Sequence, residues 1–320
     1  MKRFLIHRWF LIALALVLGL GIGLSDWLSP LTRAQGLRQT VVVVVLFLMA
    51  LPLEASDVWE TLCRPRASLL ATAVNYGLLP LFAWSISLAL EHSGTLDESM
   101  TRGILVAAVV PCTLASASVW TRRAGGNDRV ALMVTVITNL LCFVVTPAWL
   151  WLTIGDAPRF NPLAMVTKLG LLVVLPMVLA QTLRPLASIG KWATKNKTPL
   201  SVASQCGVLF VVLLGAIGTG RELLGGSLSS IWFELCLMTA AVLCVHLTML
   251  WTGIRLARWM RLSREDAIAV GFSGSQKTVP VGLEISAQLG LNPLPIVVYH
   301  VGQLLADTAI ADRIRSSEVV

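Results

Sequence analysis

Residues 271–284 read GFSGSQKTVPVGLE, and this stretch decides the fold. It places Gln276, Lys277, a run of small residues and Pro280 inside a segment otherwise apolar enough to lie in a membrane. An ionisable side chain at membrane depth marks a functional site by default, because burying its charge in hydrocarbon is costly. The composition around it agrees: 56% of the 320 residues are hydrophobic and 13% are charged, with a mean hydropathy of +0.79. Soluble domains carry about 25% charged residues, so the chain reads as a polytopic, all-α membrane protein.

With roughly 20 apolar residues needed per spanning helix, ten candidate spans follow, at 9–28, 39–55, 67–90, 102–120, 129–154, 163–183, 199–219, 230–254, 266–289 and 293–311. The first follows Lys2, Arg3 and Arg8. Its apolar run closes on no small-x-small cleavage site, so it is expected to be a retained anchor. The clusters Arg122–Arg123–Arg129, Arg184–Lys191–Lys195–Lys197 and Arg255–Arg258–Arg261–Arg264 fall on the side of the N-terminus, with Arg64, Arg66, Arg313 and Arg315. The opposite side holds the scattered Arg33, Arg38, Arg102, Arg159 and Arg221. Cytoplasmic loops carry the basic excess, which predicts both termini in the cytoplasm and an integral protein of the plasma (inner) membrane.

The net charge of +8 therefore faces anionic lipid headgroups, and nucleic acid is not an expected partner. The six cysteines have no metal-ligand spacing and read as small buried residues. No inter-span segment is long enough to bury a core of its own. The whole chain, 1–320, is expected to form one transmembrane domain.

Two expected spans break the rule of uniform apolarity. One holds PCTLASASVWTRRAGGN from Pro111 to Asn127; the other is the stretch around Gly274. They occupy matching places in two halves of five spans, about 9–154 and 163–311. An odd number of spans per half gives the halves opposite orientation, the inverted-repeat plan of many secondary transporters, and paired interruptions point to a binding site near the midplane. The helix ends at such breaks expose N–H groups that attract anions and carbonyls that coordinate cations. Small residues such as Ser116, Ala117, Ser118, Gly274 and Ser275 would let two breaks approach, although such residues also serve ordinary helix packing.

The third-span NYGLLPLFAW, the PCTLASASVWTRRAGGN segment, GSQKT and the tenth-span YHVGQLLAD together resemble the bile acid:sodium symporter superfamily, and within it the branch related to the human family's seventh member and its bacterial and yeast relatives. The resemblance implies ten helices split into a panel and a core domain. It also implies that the broken fourth and ninth helices cross where sodium binds in the characterised symporters. Anchored on Leu79, Pro80 and Trp84, the third-helix glutamine of that family falls on Asn75. Anchored on Gly126–Asn127 and Thr146–Pro147, a fourth-helix serine–asparagine pair falls on Ala117 and Ser118, and a fifth-helix threonine on Thr135. In the ninth helix the family's glutamine falls on Gln276, but its bridging glutamate falls on Phe272 and the following asparagine on Lys277.

That last departure removes the site's only carboxylate and adds an ammonium. A second cation within about 5 Å would be repelled by several kcal/mol in a partly dry site, so a sodium site of the bile-acid type is not expected. Lys277 can take the cation's place, pair with Glu284 or Asp307, or carry a coupling proton; a purely structural role is the alternative. The candidate cation- and substrate-binding residues are Asn75, Ser116, Ser118, Thr135, Gln276, Lys277 and Thr278. Glu284 lies seven residues beyond Lys277, about two helical turns on the same face. His300, Gln303 and Asp307 form a stripe on the last span; Glu284, His300 and Asp307 are the candidate proton or ion-pair partners.

The leading expectation is a secondary transporter that moves a small organic anion by alternating access with sodium or proton coupling, and with no other cofactor. A second reading is a regulator of calcium or cation homeostasis without bile-acid-type transport. A membrane-embedded enzyme is a third class, but the sequence holds no HExxH, no GxSxG and no paired aspartates at span depth, and His300 is the one histidine expected near the interior. Substrate identity and oligomeric state are not written in the chain.

Overall fold

The computed structural model describes residues 2–33, 35–54, 65–114, 116–155, 160–224 and 228–316, and every regular element among them is helical. The helices are α1 Lys2–Gly23, α2 Gln35–Ala50, α3 Arg66–Ser93, α4 Glu98–Val109, α5 Ala117–Arg123, α6 Asp128–Ile154, α7 Pro162–Leu183, α8 Ala187–Lys195, α9 Lys197–Leu224, α10 Leu228–Trp259, α11 Arg264–Ser275, α12 Val279–Leu289 and α13 Leu294–Ser316.

Their ends follow local rules. Asp97 caps α4 by accepting from the Ser99 N–H at 2.8 Å, and Ser263 caps α11 by accepting from the Asp266 N–H at 3.1 Å, with Glu265 and Asp266 in the first turn. Both arrangements satisfy orphan N–H groups and complement the positive end of the helix dipole. Helices α3 and α12 stop at Gly94 and Gly290, whose φ angles of 62° and 68° suit the left-handed C-terminal cap that glycine adopts without strain.

Among the described residues, six helices are long and apolar enough to cross a membrane: α3, α6, α7, α9, α10 and α13, the last with a window hydropathy of 1.3 and α6 with 2.2. A seventh candidate is the pair Ile12–Gly23 and Ser25–Thr32, bent by 90°. The protein is thus a polytopic helical membrane protein. The count is lower than the ten spans expected because the other expected spans are not single long helices. The expected second span is the shorter α2, which ends at Ala50 just before Pro52, a residue that disfavours helix immediately before it; position 55 of that span lies outside the described residues. The fourth and ninth are divided, between Val109 and Ala117 and at Gln276–Thr278. The first ends sooner than expected, since the chain bends by 90° after the glycine-rich run ending at Gly23, where helix propensity is low.

Helices α1, α2 and α9 pack closely together with α7 beside α2, while α3, α4, α5, α6, α10, α11 and α13 surround the two breaks. A close backbone approach joins α10 to α11. A Cβ on Gly253 would stand 3.2 Å from the Cα of Gly271, and one on Gly271 would stand 2.9 Å from the Leu250 carbonyl. Only glycine at both positions lets the backbones approach so nearly, the small-residue packing that membrane helices use in place of a hydrophobic drive.

Polarity runs opposite to that of a soluble protein. Leu16, Leu20, Leu81, Trp151, Leu171 and Trp251 are exposed, whereas Asn75, Thr138, Asn139, Gln276, Lys277, Gln303 and Asp307 are wholly buried. Cys112 and Cys142 are buried as expected, but Cys206, Cys236 and Cys244 are exposed. On a surface facing lipid a thiol costs little, so burial is not required of it. Cys63 lies outside the described residues.

Candidate functional site

The site begins in α3. Residues Val74–Leu78 form a π-helical turn, in which the Leu79 N–H reaches back to the Val74 carbonyl rather than to Asn75. In that register the next donor, which would take the Asn75 carbonyl, belongs to residue 80. Residue 80 is proline and has no N–H. The Asn75 carbonyl is thereby released from the helix, and the neighbouring Tyr76 carbonyl takes the Trp149 Nε1–H at 2.7 Å. Single π turns of this kind are frequent at functional sites.

The released carbonyl faces Lys277. The Lys277 Nζ donates to the Asn75 carbonyl at 2.8 Å, to the Asn75 Oδ1 at 3.0 Å and to the Val110 carbonyl at 2.9 Å, with the Tyr76 ring 5.4 Å away. Three acceptors match the three hydrogens of an ammonium, and the ring face adds a cation–π contact. The side chain is fully buried.

Both helix breaks are held together by bonds to their carbonyls, as buried backbone groups require. At the first break, Val109 accepts from Thr146 Oγ1, Pro111 from the Thr278 N–H, Cys112 from Asn139 Nδ2 and Thr113 from Thr135 Oγ1. At the second, Asn75 Nδ2 donates to Ser273, Gly274 and Gln276 at 3.1, 3.3 and 3.1 Å. Tyr299 donates to Ser275, and the Gln303 side chain both donates to the Lys277 carbonyl and accepts from its N–H. Ser116 Oγ donates to Gln276 Oε1 at 2.8 Å, joining the breaks through side chains.

Asn75, Ser116, Thr135, Gln276, Lys277 and Thr278 therefore come together around the two breaks. Ser118 does not join them: it lies on α5 beside a cavity of about 180 Å³ lined also by Leu48, Met49, Glu54, Arg122, Arg129 and Lys197. Phe272, expected from the resemblance to stand where a glutamate bridges two sodium sites, is buried in an apolar cluster with Leu250, Ile254, Ile268 and Ala311. Its ring brings no oxygen ligand to that position.

The expected pairing of Lys277 with Glu284 or Asp307 is not formed. Lys277 sits in the break, so the helix phase restarts at Val279 and the seven-residue spacing to Glu284 no longer places them on one face. Glu284 instead joins Arg38 and Lys168 at 2.7 and 2.6 Å. Asp307 accepts from Gln276 Nε2 at 2.5 Å and meets His246 Nε2 at 2.9 Å. His300 stands with its Nδ1 2.8 Å from Gln303 Nε2 and 3.3 Å from the Lys277 carbonyl.

His246 is the site residue that sequence reasoning misses. It lies deep in α10, fully buried, with Nδ1 3.3 Å from the Ser275 carbonyl and the ring edge-on to Tyr299. Both ring nitrogens thus face oxygens. The only sequence signal is a histidine within an apolar run.

Comparison with known proteins identifies the family. Residues 8–316 match the sequence profile of the SBF-like CPA transporter family. Among similar proteins, the mouse (Mus musculus) Sodium/bile acid cotransporter 7 is 23% identical, with 97% of this chain and 93% of that protein covered. The Putative symporter YfeH of Escherichia coli (strain K12) is 28% identical over 73% of this chain and 69% of its own, and the Uncharacterized protein PA2026 of Pseudomonas aeruginosa is 28% identical over 78% and 75%. With a match that spans nearly the whole chain and both interrupted segments, the protein belongs to the SBF-like CPA transporter family.

Proposed function

We propose that this chain is a secondary transporter that carries a small organic anion by alternating access, with Lys277 filling the place of a coupling cation. One observation carries the reading: the ammonium lies in a cage of three oxygens at the meeting of two helix breaks, the position and ligand chemistry a monovalent cation would use. Counting α2, the bent α1 segment and the two interrupted passages with the six long helices yields ten crossings, arranged as inverted repeats of about 9–154 and 163–311. Both termini are then cytoplasmic, in the plasma (inner) membrane.

Substrate recognition falls on the remaining polar groups at the junction, Ser116, Gln276 and Thr278, and on the Ser118 cavity, whose Arg122, Arg129 and Lys197 suit an anion. With the oxygen cage filled by Lys277, the mobile coupling ion is the proton rather than sodium, and the His246–Asp307 pair is the group that can hold it.

Proteoliposomes carrying the wild type are expected to accumulate at least one of a panel of radiolabelled carboxylates and sulfate esters when a proton gradient is imposed. Gln276→Ala is expected to lose that uptake while remaining folded. Normal uptake by Gln276→Ala would remove the junction as the site. No uptake of any anion, combined with altered cation flux, would favour a regulator of cation homeostasis instead.

A further inference from the structure

Midway along α12, Glu284 is 2% exposed and receives three donors from two other helices. Arg38 Nε of α2 reaches Oε2 at 2.7 Å, Lys168 Nζ of α7 reaches Oε1 at 2.6 Å, and Gln39 Nε2 of α2 reaches Oε1 at 3.3 Å. The two cations outnumber the one carboxylate. They also stand on helices that pack against each other, while the carboxylate stands on the half-helix that follows the Lys277 break. The cluster is thus a receptor on one group of helices and an anion on another.

The receptor has room around it. A cavity of about 230 Å³ beside Arg38 is lined by Thr32, Leu214, Leu283, Ala287 and Pro293, apolar except for the threonine and Arg38 itself. The guanidinium and ammonium side chains are 18% and 25% exposed, so they reach the surface while the carboxylate between them does not. A guanidinium with an ammonium and an amide donor on one carboxylate is the donor set that binds carboxylate, sulfate and phosphate groups generally.

We propose that Arg38, Lys168 and Gln39 form an anion-binding site for a carboxylate, sulfate or phosphate group, which Glu284 occupies as a tethered ligand in this conformation. Withdrawal of α12 would empty the site toward the adjoining cavity, and a free anion would then replace the glutamate. The use of this site for substrate entry rests on the transport reading above. The binding itself does not, and is tested without transport.

The probe is inorganic sulfate, compared with chloride at matched ionic strength, and the readout is the Tm of the purified full-length protein. Glu284→Gln leaves the two cations without their carboxylate, a costly arrangement for partly buried charges, and a ligand that fills the gap raises Tm by mass action. Low millimolar sulfate is expected to raise the Tm of Glu284→Gln by several degrees and to leave the wild type unmoved. Removing the receptor in Arg38→Gln/Lys168→Gln/Glu284→Gln is expected to abolish the shift, which separates binding from the general stabilising effect of sulfate. If Glu284→Gln does not purify folded, Glu284→Asp, whose carboxylate is one methylene shorter, is expected to show a smaller shift in the same direction. A shift in the wild type or in the triple variant as large as that of Glu284→Gln, or no response in either Glu284 variant, would overturn the proposal.

Discussion

Lys277→Met is expected to lose transport entirely and to melt well below the wild type. The change deletes three hydrogen bonds of 2.8 to 3.0 Å from one charged donor to buried oxygens. Hydrogen bonds to charged groups are worth about 1.5–3 kcal/mol each, and acceptors left without a donor keep their desolvation cost. Part of this is offset because methionine removes the expense of burying a charge, so the net loss is about 3 kcal/mol. Through the Val110 and Asn75 carbonyls the Lys277 ammonium ties the first break to the π turn; without it the two elements lose that common tie. Thermal unfolding and proteoliposome uptake, measured on the same preparation, check both parts. Wild-type uptake in Lys277→Met would show that the ammonium is dispensable.

Asn75→Ala is the second large effect. Two amide hydrogens of Asn75 serve three carbonyls on α11 and its break, at Ser273, Gly274 and Gln276, so at least one is shared, and Oδ1 accepts from Lys277. Truncation strands these groups in a fully buried setting at about 1–3 kcal/mol for the first unsatisfied group and less for those already shared, for a total of about 3 kcal/mol. Transport is expected to vanish with the geometry of the break. Asn75→Gln, which keeps the amide but adds a methylene to a packed site at a cost of about 1–3 kcal/mol, is expected to recover part of the activity. If Asn75→Ala retains wild-type Tm, the amide is not the clasp described here.

Much of the site is legible in the sequence because each break interrupts an apolar run with proline, small and polar residues, and such interruptions are rare in spanning helices. Pro111 and the GSQKT stretch therefore mark the junction by residue type alone. What stays hidden depends on register and on long-range convergence. The Asn75 carbonyl is released only because a π turn shifts the bonding by one residue onto Pro80, and nothing in NYGLLP declares that shift.

The Glu284 spacing misleads for a related reason. Counting residues along a helix assumes an unbroken phase, and the non-helical stretch Gln276–Thr278 resets it. His246 escapes notice because its own neighbours are ordinary; its role comes from Asp307, 61 residues away in sequence. Likewise Arg38 and Lys168 meet Glu284 from helices far apart in the chain, and only the packing of α2, α7 and α12 reveals it. The interruptions of the fourth and ninth expected spans are legible in the sequence, whereas the bend after Gly23 and the end of α2 at Ala50 are not, because a count of apolar residues does not register where a helix turns or stops.

The central claim is that Lys277 stands where a cation would, and the thermal stability of purified protein in sodium, potassium and choline tests it most directly. Lys277→Asn is the variant of choice, since it restores an oxygen while leaving the Asn75 and Val110 oxygens in place. Adding Phe272→Glu would bury a carboxylate among Leu250, Ile254 and Ile268. The wild type is predicted to melt at the same temperature in all three salts, and Lys277→Asn to gain several degrees in sodium alone, as binding to the folded state requires. Sodium stabilisation of the wild type would contradict the account.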